Sequence, residues 1–226
     1  MTIIFKDEIA KNYDEWYSTE IGSFIDMVET QAALALFTPQ AGTKILDAGC
    51  GTGNFSIKLS QSGCIVTGID ISPDMLNIAR SKTRDELSIE YLEMDLRKLD
   101  FPDEFFDGVF SMAAFEFIEE AEKVYQELYR ILKPGGKLLI GTINKDGSWG
   151  KLYQKIAQED QNSVFSHAVF YNIDDLSQLN LRDLTASTGC LFIPPGLEVS
   201  NYTREKETDL ADSEIPGFII TMWKKP

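Results

Sequence analysis

Residues 44–56 read Lys44-Ile-Leu-Asp-Ala-Gly-Cys-Gly-Thr-Gly-Asn-Phe-Ser56, in which a short apolar run leads to glycine at every second position. Ile45 and Leu46 predict a buried strand that enters a tight turn, and residues 54–60 have helical character. Glycine permits backbone angles and close approaches that a Cβ forbids, so main-chain atoms of this turn can contact a ligand directly. The free N–H groups of the following helix lie beside the turn.

Two classes of ligand use a strand, a glycine turn and a helix in this way. Dinucleotide enzymes prefer Gly-x-Gly-x-x-Gly, with the helix dipole facing a pyrophosphate. Here the spacing is Gly-x-Gly-x-Gly, at Gly49, Gly51 and Gly53, and Asp47 precedes it. An acid at this position repels a diphosphate but can orient, directly or through the turn, a ligand that carries an ammonium group. A tight turn without any ligand is the alternative.

The bulk composition limits the classes of function. The chain has 226 residues, of which 43% are hydrophobic and 25% charged, as expected for one globular domain with its own core. Its formal net charge is −15, from 36 acids and 21 bases without a clustered basic stripe, which disfavours a nucleic-acid partner. No apolar run approaches the roughly 20 residues of a membrane span, and the first residues do not resemble a signal peptide. We therefore expect a cytoplasmic protein without a membrane partner.

The cysteines do not indicate a disulfide framework or a zinc site. Cys50, Cys64 and Cys190 are widely spaced, no Cys-x-x-Cys pair occurs, and His167 is the single histidine. The sequence predicts no metal centre.

Two later strands also end in acids. The apolar run 64–70 ends at Asp70, and Ser72-Pro-Asp then opens a helix with Ser72 as its N-cap. Asp70 lies seventeen positions beyond Gly53 (70 − 53), near the roughly 20 residues at which nucleoside-binding folds place a carboxylate for both ribose hydroxyls. The alternative is an acid that only stabilises the next helix N-terminus.

The third such strand, residues 89–95, alternates apolar and polar positions and ends at Asp95. Parallel strands present their carboxyl ends together, so Asp47, Asp70 and Asp95 are predicted to lie along one rim of the sheet. A turn acid without a ligand is the alternative interpretation of Asp95.

The remaining periodicities predict alternating helices and strands for about the first 145 residues, hence an α/β fold with a doubly wound, mostly parallel sheet. An amphipathic helix is predicted over 21–37 and another over 119–132, followed by a buried strand over 137–143. We predict a last helix over 174–187 with Gly189 as its C-cap, closing strands over 190–194 and 215–223, and a solvated stretch over 201–214.

Several of these motifs together resemble one family, the class I S-adenosylmethionine-dependent methyltransferases, over roughly residues 13–144. The motifs are Asp-x-Gly-x-Gly-x-Gly from Asp47, the entry into strand four at Phe101-Pro-Asp-Glu-Phe-Phe-Asp-Gly-Val-Phe-Ser111, and Leu132-Lys-Pro-Gly-Gly136 between helix and strand. Tyr13-Asp-Glu-Trp-Tyr17 matches the segment that precedes the core in the family. The nearest resemblance is to the small-molecule branch, which includes ubiquinone and menaquinone C-methyltransferases.

The resemblance implies a seven-stranded Rossmann-like methyltransferase fold that binds S-adenosyl-L-methionine. It implies that Tyr17 closes over the sulfonium end of the cofactor, and that Asp95 accepts from the adenine amino group while the N–H of Leu96 contacts a ring nitrogen. The full set that we assign to cofactor binding is Tyr17, Asp47, Gly49, Cys50, Gly51, Gly53, Asp70, Ile71, Met75, Asp95, Leu96 and Ser111.

The acceptor side is less defined. Relatives often carry a histidine after strand four, but here that position is Phe117, within Phe115-Glu116-Phe117-Ile118, so a histidine base is excluded there. The catalytic residues stay unassigned, with Tyr17, Glu116 and His167 as candidates. Residues 145–173 are predicted to form a substrate lid, because long non-core segments at this rim are often functional. A loose loop with an aromatic foot in the core is the alternative.

We therefore expect one methyltransferase domain over 1–226, with a helical N-terminal cap over 1–38, that acts as a monomer or homodimer on a small-molecule methyl acceptor. Transfer from a sulfonium needs alignment of nucleophile, methyl carbon and sulfur, and needs a base only where the acceptor must lose a proton. The alternatives are a protein methyltransferase, a non-catalytic regulator that binds S-adenosylmethionine, and an oxidoreductase that uses a nicotinamide dinucleotide.

Overall fold

A single sheet organises the computed structural model, which describes Phe5 and residues 7–226. Within these residues the sheet has seven strands: β1 Lys44–Ala48, β2 Ile65–Asp70, β3 Ile89–Glu93, β4 Phe106–Met112, β5 Leu132–Ile143, β6 Leu184–Cys190 and β7 Phe218–Lys224. Their order is β3-β2-β1-β4-β5-β7-β6. Strands β1 to β5 pair in parallel, and β7 lies antiparallel between β5 and β6. The predicted seven-stranded, doubly wound and mostly parallel sheet is confirmed.

Helices separate most of the strands. In the described part of the chain they are α1 Asp7–Tyr17, α2 Glu20–Phe37, α3 Asn54–Gln61, α4 Pro73–Lys82, α5 Ala121–Arg130, α6 Ser148–Glu159, α7 Ile173–Ser177 and α8 Arg204–Leu210. Helix α4 begins as predicted, because the Ser72 hydroxyl accepts the N–H of Met75 and Pro73 occupies the first turn. None of the helices in the described residues is long and apolar enough to cross a membrane.

Both faces of the sheet are buried. Ile45 and Leu139 point into a core formed with α2 and α3, whereas the adjacent Leu46 and Leu138 point into a second core formed with α5. Successive residues of a strand face opposite sides, so a strand covered on both sides must be apolar at nearly every position. This explains the consecutive apolar residues Ile45-Leu46 in β1, Val109-Phe110 in β4 and Leu138-Leu139-Ile140 in β5.

The direction of winding reverses beside β1, whose neighbours are β2 on one side and β4 on the other. In open parallel sheets a crevice forms outside the carboxyl ends of the strands at such a point. The glycine turn after β1 and the segment after β4 border this crevice. Residues 1–4 and 6 of the predicted N-terminal cap lie outside the described residues.

The prediction for residues 174–194 was wrong. Helix α7 ends at Ser177, Leu184–Cys190 is strand β6 rather than the end of a helix, and no strand continues to residue 194. The Ser- and Thr-rich segment pairs with β7, and a Cβ on Gly189 would lie 2.4 Å from Pro216 Cγ. Gly189 therefore permits close packing and does not cap a helix.

One further prediction in the C-terminal part needs correction, because the closing strand begins at Phe218 rather than at residue 215. The stretch 201–214 is mostly exposed, as predicted, but it also contains α8. Glu207 of this helix accepts the backbone N–H groups of Phe192 and Ile193. These contacts join residues far apart in sequence, which local periodicity does not reveal.

Candidate active site

The turn between β1 and α3 keeps its backbone exposed to a cleft. Gly51 has φ +53°, and a Cβ built there would meet only the terminal methyl of Met75, at 3.4 Å. Gly53, with φ +80°, lies behind the turn, where a Cβ would be 2.4 Å from the Tyr91 hydroxyl. Gly51 therefore faces the cleft, whereas Gly53 allows α3 to pack against β3 and does not line the cleft.

We name this space the glycine-turn cleft; it has a volume of about 1140 Å³, open mouth included, which suits a ligand the size of a cofactor. Ten of the twelve residues assigned to cofactor binding line it: Tyr17, Asp47, Gly49, Cys50, Gly51, Asp70, Ile71, Met75, Asp95 and Leu96. The three acids that end successive strand segments thus share one cleft, as the sequence predicted. Their individual environments differ.

Asp47 is held by the protein itself. Its side chain is 2% exposed, and its Oδ2 accepts a hydrogen bond of 2.6 Å from the Ser56 hydroxyl on α3. Burial raises the pKa of the Asp47 carboxyl to about 7, against the opposing effect of that hydrogen bond. Asp47 therefore acts on the cleft mainly through the turn that it anchors.

Asp70 presents a partly satisfied carboxylate at the end of β2. One oxygen accepts the N–H of Gly51 at 2.9 Å and the other accepts the N–H of Ser72 at 2.8 Å. Burial raises the pKa of this carboxyl, while these backbone N–H groups oppose the shift. Each carboxylate oxygen can accept a further hydrogen bond, so the group can still receive two donors from a ligand.

Asp95 is paired with a base that the sequence analysis did not single out. The guanidinium of Arg97 donates from Nε to Oδ1 at 3.0 Å and from Nη2 to Oδ2 at 2.5 Å. These hydrogen bonds lower the pKa of the Asp95 carboxyl, so it stays ionised. Arg97 also lines the cleft, so a ligand that contacts Asp95 shares the carboxylate with Arg97.

Two predicted site residues lie elsewhere. Ser111 is fully buried, and its hydroxyl donates to the Ala48 carbonyl at 2.8 Å, which ties β4 to the end of β1. His167 is exposed at the end of a short 3₁₀ turn and lines neither the cleft nor the cavity described below. In the described residues no cluster of potential metal ligands occurs.

Helix α1 is fastened to the glycine turn. The Asp14 carboxylate accepts from Lys82 Nζ on α4 and from the Thr52 hydroxyl in the turn, each at 2.6 Å. Lys82 also donates to the side-chain oxygen of Asn54 at 2.6 Å. Burial lowers the pKa of Lys82, and its contact with Asp14 opposes that shift. The network places Tyr13 and Tyr17 of the same helix over the cleft.

A second space, which we name the aromatic cavity, adjoins the cleft and has a volume of about 1220 Å³, open mouth included. Five residues line both spaces: Phe5, Tyr13, Tyr17, Ala113 and Phe117. The hydroxyls of the two tyrosines are 3.2 Å apart at this shared wall. Two carboxyl side chains, from Glu29 on α2 and Glu116 after β4, also line the aromatic cavity.

Residues of the predicted lid form the outer wall of the aromatic cavity. Trp149 and Tyr153 of α6 and Phe165 of the 3₁₀ turn line it, and the last two rings stack with centroids 4.3 Å apart. The Trp149 indole donates to the Ile193 carbonyl at 2.8 Å, and the N–H of Val169 donates to the Glu116 carbonyl at 2.7 Å. The segment is thus packed against the rest of the site.

The sequence analysis missed Glu29, Arg97 and the Asp14–Lys82 contact. A signal for Glu29 was present, because it interrupts the apolar face of α2 between Ile25 and Ala33. No such local signal exists for the Asp14–Lys82 contact, whose partners are 68 residues apart.

Similar proteins of known family share the part of the chain that forms this site. A family model described as a methyltransferase domain matches residues 46–140, from β1 into β5. A malonyl-(acyl-carrier protein) O-methyltransferase of Pectobacterium atrosepticum is 39% identical over 121 residues, which cover 54% of this chain and 46% of that protein. A phosphatidylethanolamine N-methyltransferase of Cereibacter sphaeroides is 34% identical over 140 residues, which cover 59% of this chain and 67% of that protein. The chain belongs to the S-adenosylmethionine-dependent methyltransferases.

The methyltransferase fold extends over nearly the whole chain. A methyltransferase structure from Thermotoga maritima matches it with a TM-score of 0.70, covering 96% of both chains at 22% identity. In contrast, the chain spans only about half to two thirds of the length of the two curated relatives.

Proposed function

We propose that this chain transfers the methyl group of S-adenosylmethionine to a small-molecule acceptor. The donor occupies the glycine-turn cleft and the acceptor occupies the aromatic cavity. The observation that carries the proposal is the wall common to both spaces, formed in part by Tyr13, Tyr17 and Phe117. Because the same side chains line both spaces, the two spaces are adjacent, and direct transfer requires that donor and acceptor occupy adjacent positions.

The residues of the cleft suit this donor. The Asp70 carboxylate retains acceptor capacity for the two ribose hydroxyls, and Asp95 with the Leu96 N–H would hold the adenine edge. A Cβ at Gly51 would project into the cleft, so the bare backbone there leaves room for close approach. Ile71 and Met75 supply apolar surface beside it.

When bound, S-adenosylmethionine supplies a methyl group on a sulfonium, from which a neutral thioether leaves without help from an acid. The protein then has to align the acceptor and exclude water. The rings of Tyr13, Tyr17 and Phe117 exclude water at the common wall, and the Asp14–Lys82 network holds the helix that carries the two tyrosines. Such positioning supplies up to about 7–11 kcal/mol in well-oriented systems.

Where the acceptor must lose a proton, Glu116 is the base that we propose. Burial raises the pKa of its carboxyl to about 7, which matches a base that works near neutral pH. Burial also raises the pKa of the Tyr17 hydroxyl well above its ordinary value, so Tyr17 stays protonated and orients groups by hydrogen bonding. His167, exposed and outside both spaces, is not part of this proposal.

The acceptor is a separate question, because the two relatives carry names with different acceptors, malonyl-(acyl-carrier protein) and phosphatidylethanolamine. We propose one methyltransferase domain over 1–226, with residues 1–38 as a cap and 145–173 as a lid. A cytoplasmic monomer or homodimer without nucleic-acid or membrane partners remains a prediction. Protein methylation and a non-catalytic regulatory role are the alternatives.

Thermal unfolding with candidate ligands tests the donor. S-adenosylhomocysteine at about 100 times its Kd stabilises the folded state by about 2.7 kcal/mol, which raises Tm by roughly 5–10 °C for a chain of this size. A nicotinamide dinucleotide should leave Tm unchanged. A shift with the dinucleotide alone would contradict the proposal. Transfer of labelled methyl to an acceptor panel then separates an enzyme from a regulator that binds the donor without turnover.

A further inference from the structure

The aromatic cavity has an unusual charge composition. Two carboxyl side chains, Glu29 and Glu116, line it, and no Lys, Arg or His of the described chain does. The rest of its wall is apolar or aromatic. A buried acid without a cation is unfavourable unless something else compensates it, so the two side chains call for a physical explanation.

Glu29 is the clearer case. Its side chain is 7% exposed, and it has no hydrogen bond or ion pair with any residue that the structure describes. Lys58, whose charge acts on Glu29, donates instead to Asp26 at 2.5 Å and to the Thr30 hydroxyl at 2.7 Å. The Glu29 carboxyl therefore faces the cavity with its acceptor capacity unused.

Glu116 has one partner. It is 1% exposed, and its Oε2 accepts a hydrogen bond of 2.9 Å from the Thr142 hydroxyl on β5. Its other acceptor positions have no partner among the described residues other than its own backbone N–H. The charge of Glu116 acts on Glu29, which places both carboxyls in one electrostatic environment.

The aromatic wall favours the same class of ligand. Trp16, Tyr17, Tyr153 and Phe165 line the cavity, and an organic cation is attracted to the faces of such rings. An anionic acceptor, such as a carboxylate or a phosphate, would meet two acids and no base among the described residues that line the cavity. Burial raises the pKa of the Glu29 carboxyl well above its ordinary value, so beneath a neutral apolar acceptor it would stay protonated with its hydrogen-bonding capacity unused. A bound cation opposes that shift and gives the carboxylate a partner.

We propose that the aromatic cavity binds an organic cation with an apolar or aromatic body, and that Glu29 and Glu116 provide its counter-charge. The acceptor of the methyl group would then be an amine that binds as its ammonium form and loses one proton to the Glu116 carboxylate, since only the neutral amine has the lone pair that forms the new N–C bond as the S–C bond breaks. Only the identification of the bound cation as the methyl acceptor rests on the proposed function. Binding of the cation itself requires no methyl donor.

Calorimetry with two probes of the same shape tests the inference. The cation is (4-hydroxyphenyl)trimethylammonium, and the neutral probe is 4-tert-butylphenol. The wild-type protein should bind the cation about tenfold more tightly than the neutral probe, as an ion pair beside aromatic rings predicts. Glu29→Gln should reduce this ratio to near one while leaving affinity for the neutral probe unchanged.

Two further variants make the result specific. Glu116→Gln, whose amide oxygen can still accept from Thr142, should also lower the ratio. Glu159→Gln, at an exposed position of α6, should leave it unchanged. Because glutamine keeps the size of the side chain and removes an unpaired acid, Glu29→Gln should unfold at a Tm no lower than that of the wild type.

The inference is overturned by equal affinity for the two probes, by a preference that survives Glu29→Gln, or by absence of binding at the solubility limit of both probes. S-adenosylhomocysteine, titrated separately, distinguishes this failure from that of the proposed function. If S-adenosylhomocysteine binds and the cationic probe is not preferred over the neutral one, only the inference is refuted. If the cationic probe is preferred and S-adenosylhomocysteine does not bind, only the donor assignment is refuted.

Discussion

Asp70→Asn is the most informative change in the glycine-turn cleft. The carboxylate accepts the N–H groups of Gly51 and Ser72 on different oxygens. Asparagine has one oxygen, so its amide group must face one of these N–H donors. Leaving that donor unsatisfied costs about 1–3 kcal/mol of stability. Asp70→Ala would leave both donors unsatisfied and is therefore a poorer probe of ligand contact.

Asp70→Asn should also weaken donor binding, because the ribose hydroxyls lose their charged acceptor. Hydrogen bonds to a charged group contribute about 1.5–3 kcal/mol each, so loss of two from the ribose weakens binding by at least about 3 kcal/mol. At 1.4 kcal/mol per tenfold change, this is about a 100-fold increase in Kd. Asp85→Asn, on an exposed turn after α4, is the control and should bind normally.

A cycle that combines the variant with a changed ligand separates ribose contact from damage to the turn. The ligands are methylthioadenosine and its 2′,3′-dideoxy analogue, titrated into wild type and Asp70→Asn by calorimetry. Removal of the hydroxyls should weaken binding to the wild type by about 100-fold and to the variant by about threefold or less. An equal loss in both proteins would show that Asp70 only shapes the turn and would refute the ribose assignment.

Three other predictions concern the cleft and its cover. Gly51→Ala and Gly42→Ala place a Cβ at φ +53° and +82°, and each should cost about 1–2 kcal/mol of stability. Only Gly51→Ala should weaken S-adenosylhomocysteine binding in calorimetry. Equal binding by the two variants would contradict the cleft assignment. Tyr17→Phe removes the 3.2 Å hydrogen bond between the Tyr17 and Tyr13 hydroxyls. Turnover should fall about tenfold while Tm and donor affinity are retained. An unchanged rate would mean that the Tyr17 ring only packs. Asp14→Asn should weaken the contact between Lys82 and α1 by about 1 kcal/mol. Chymotrypsin should therefore cleave α1 several-fold faster in this variant than in the exposed control Glu15→Gln. Equal cleavage of the two variants would show that the network does not hold the helix.

The features predicted correctly depend on short stretches of chain. The glycine spacing and the acids at 47 and 70 follow short apolar runs, and the acid at 95 follows a strand of alternating apolar and polar residues. Once the strands are parallel, their carboxyl ends must share an edge, so the three acids were brought to one cleft by topology alone.

The errors have a common origin in long-range contacts. Residues 184–187 were predicted as the end of a helix because their pairing with β7, about 30 residues later, is invisible in local periodicity. Gly53 and Ser111 were assigned to cofactor binding because they lie next to cleft residues in sequence. In the structure Gly53 packs against Tyr91 and Ser111 donates to the Ala48 carbonyl, and neither residue lines the cleft.

The sequence by itself determined the alternation of strands and helices, the glycine turn and the acids at the strand ends, because each depends on residues within one element. Only the tertiary structure decided that Asp47 is anchored to Ser56, that Lys82 fastens the N-terminal helix, and that Glu29 faces the aromatic cavity without a hydrogen-bond partner among the described residues. Burial, charge pairing and the shape of a cavity depend on which distant side chains meet, and a single stretch of chain does not contain that information.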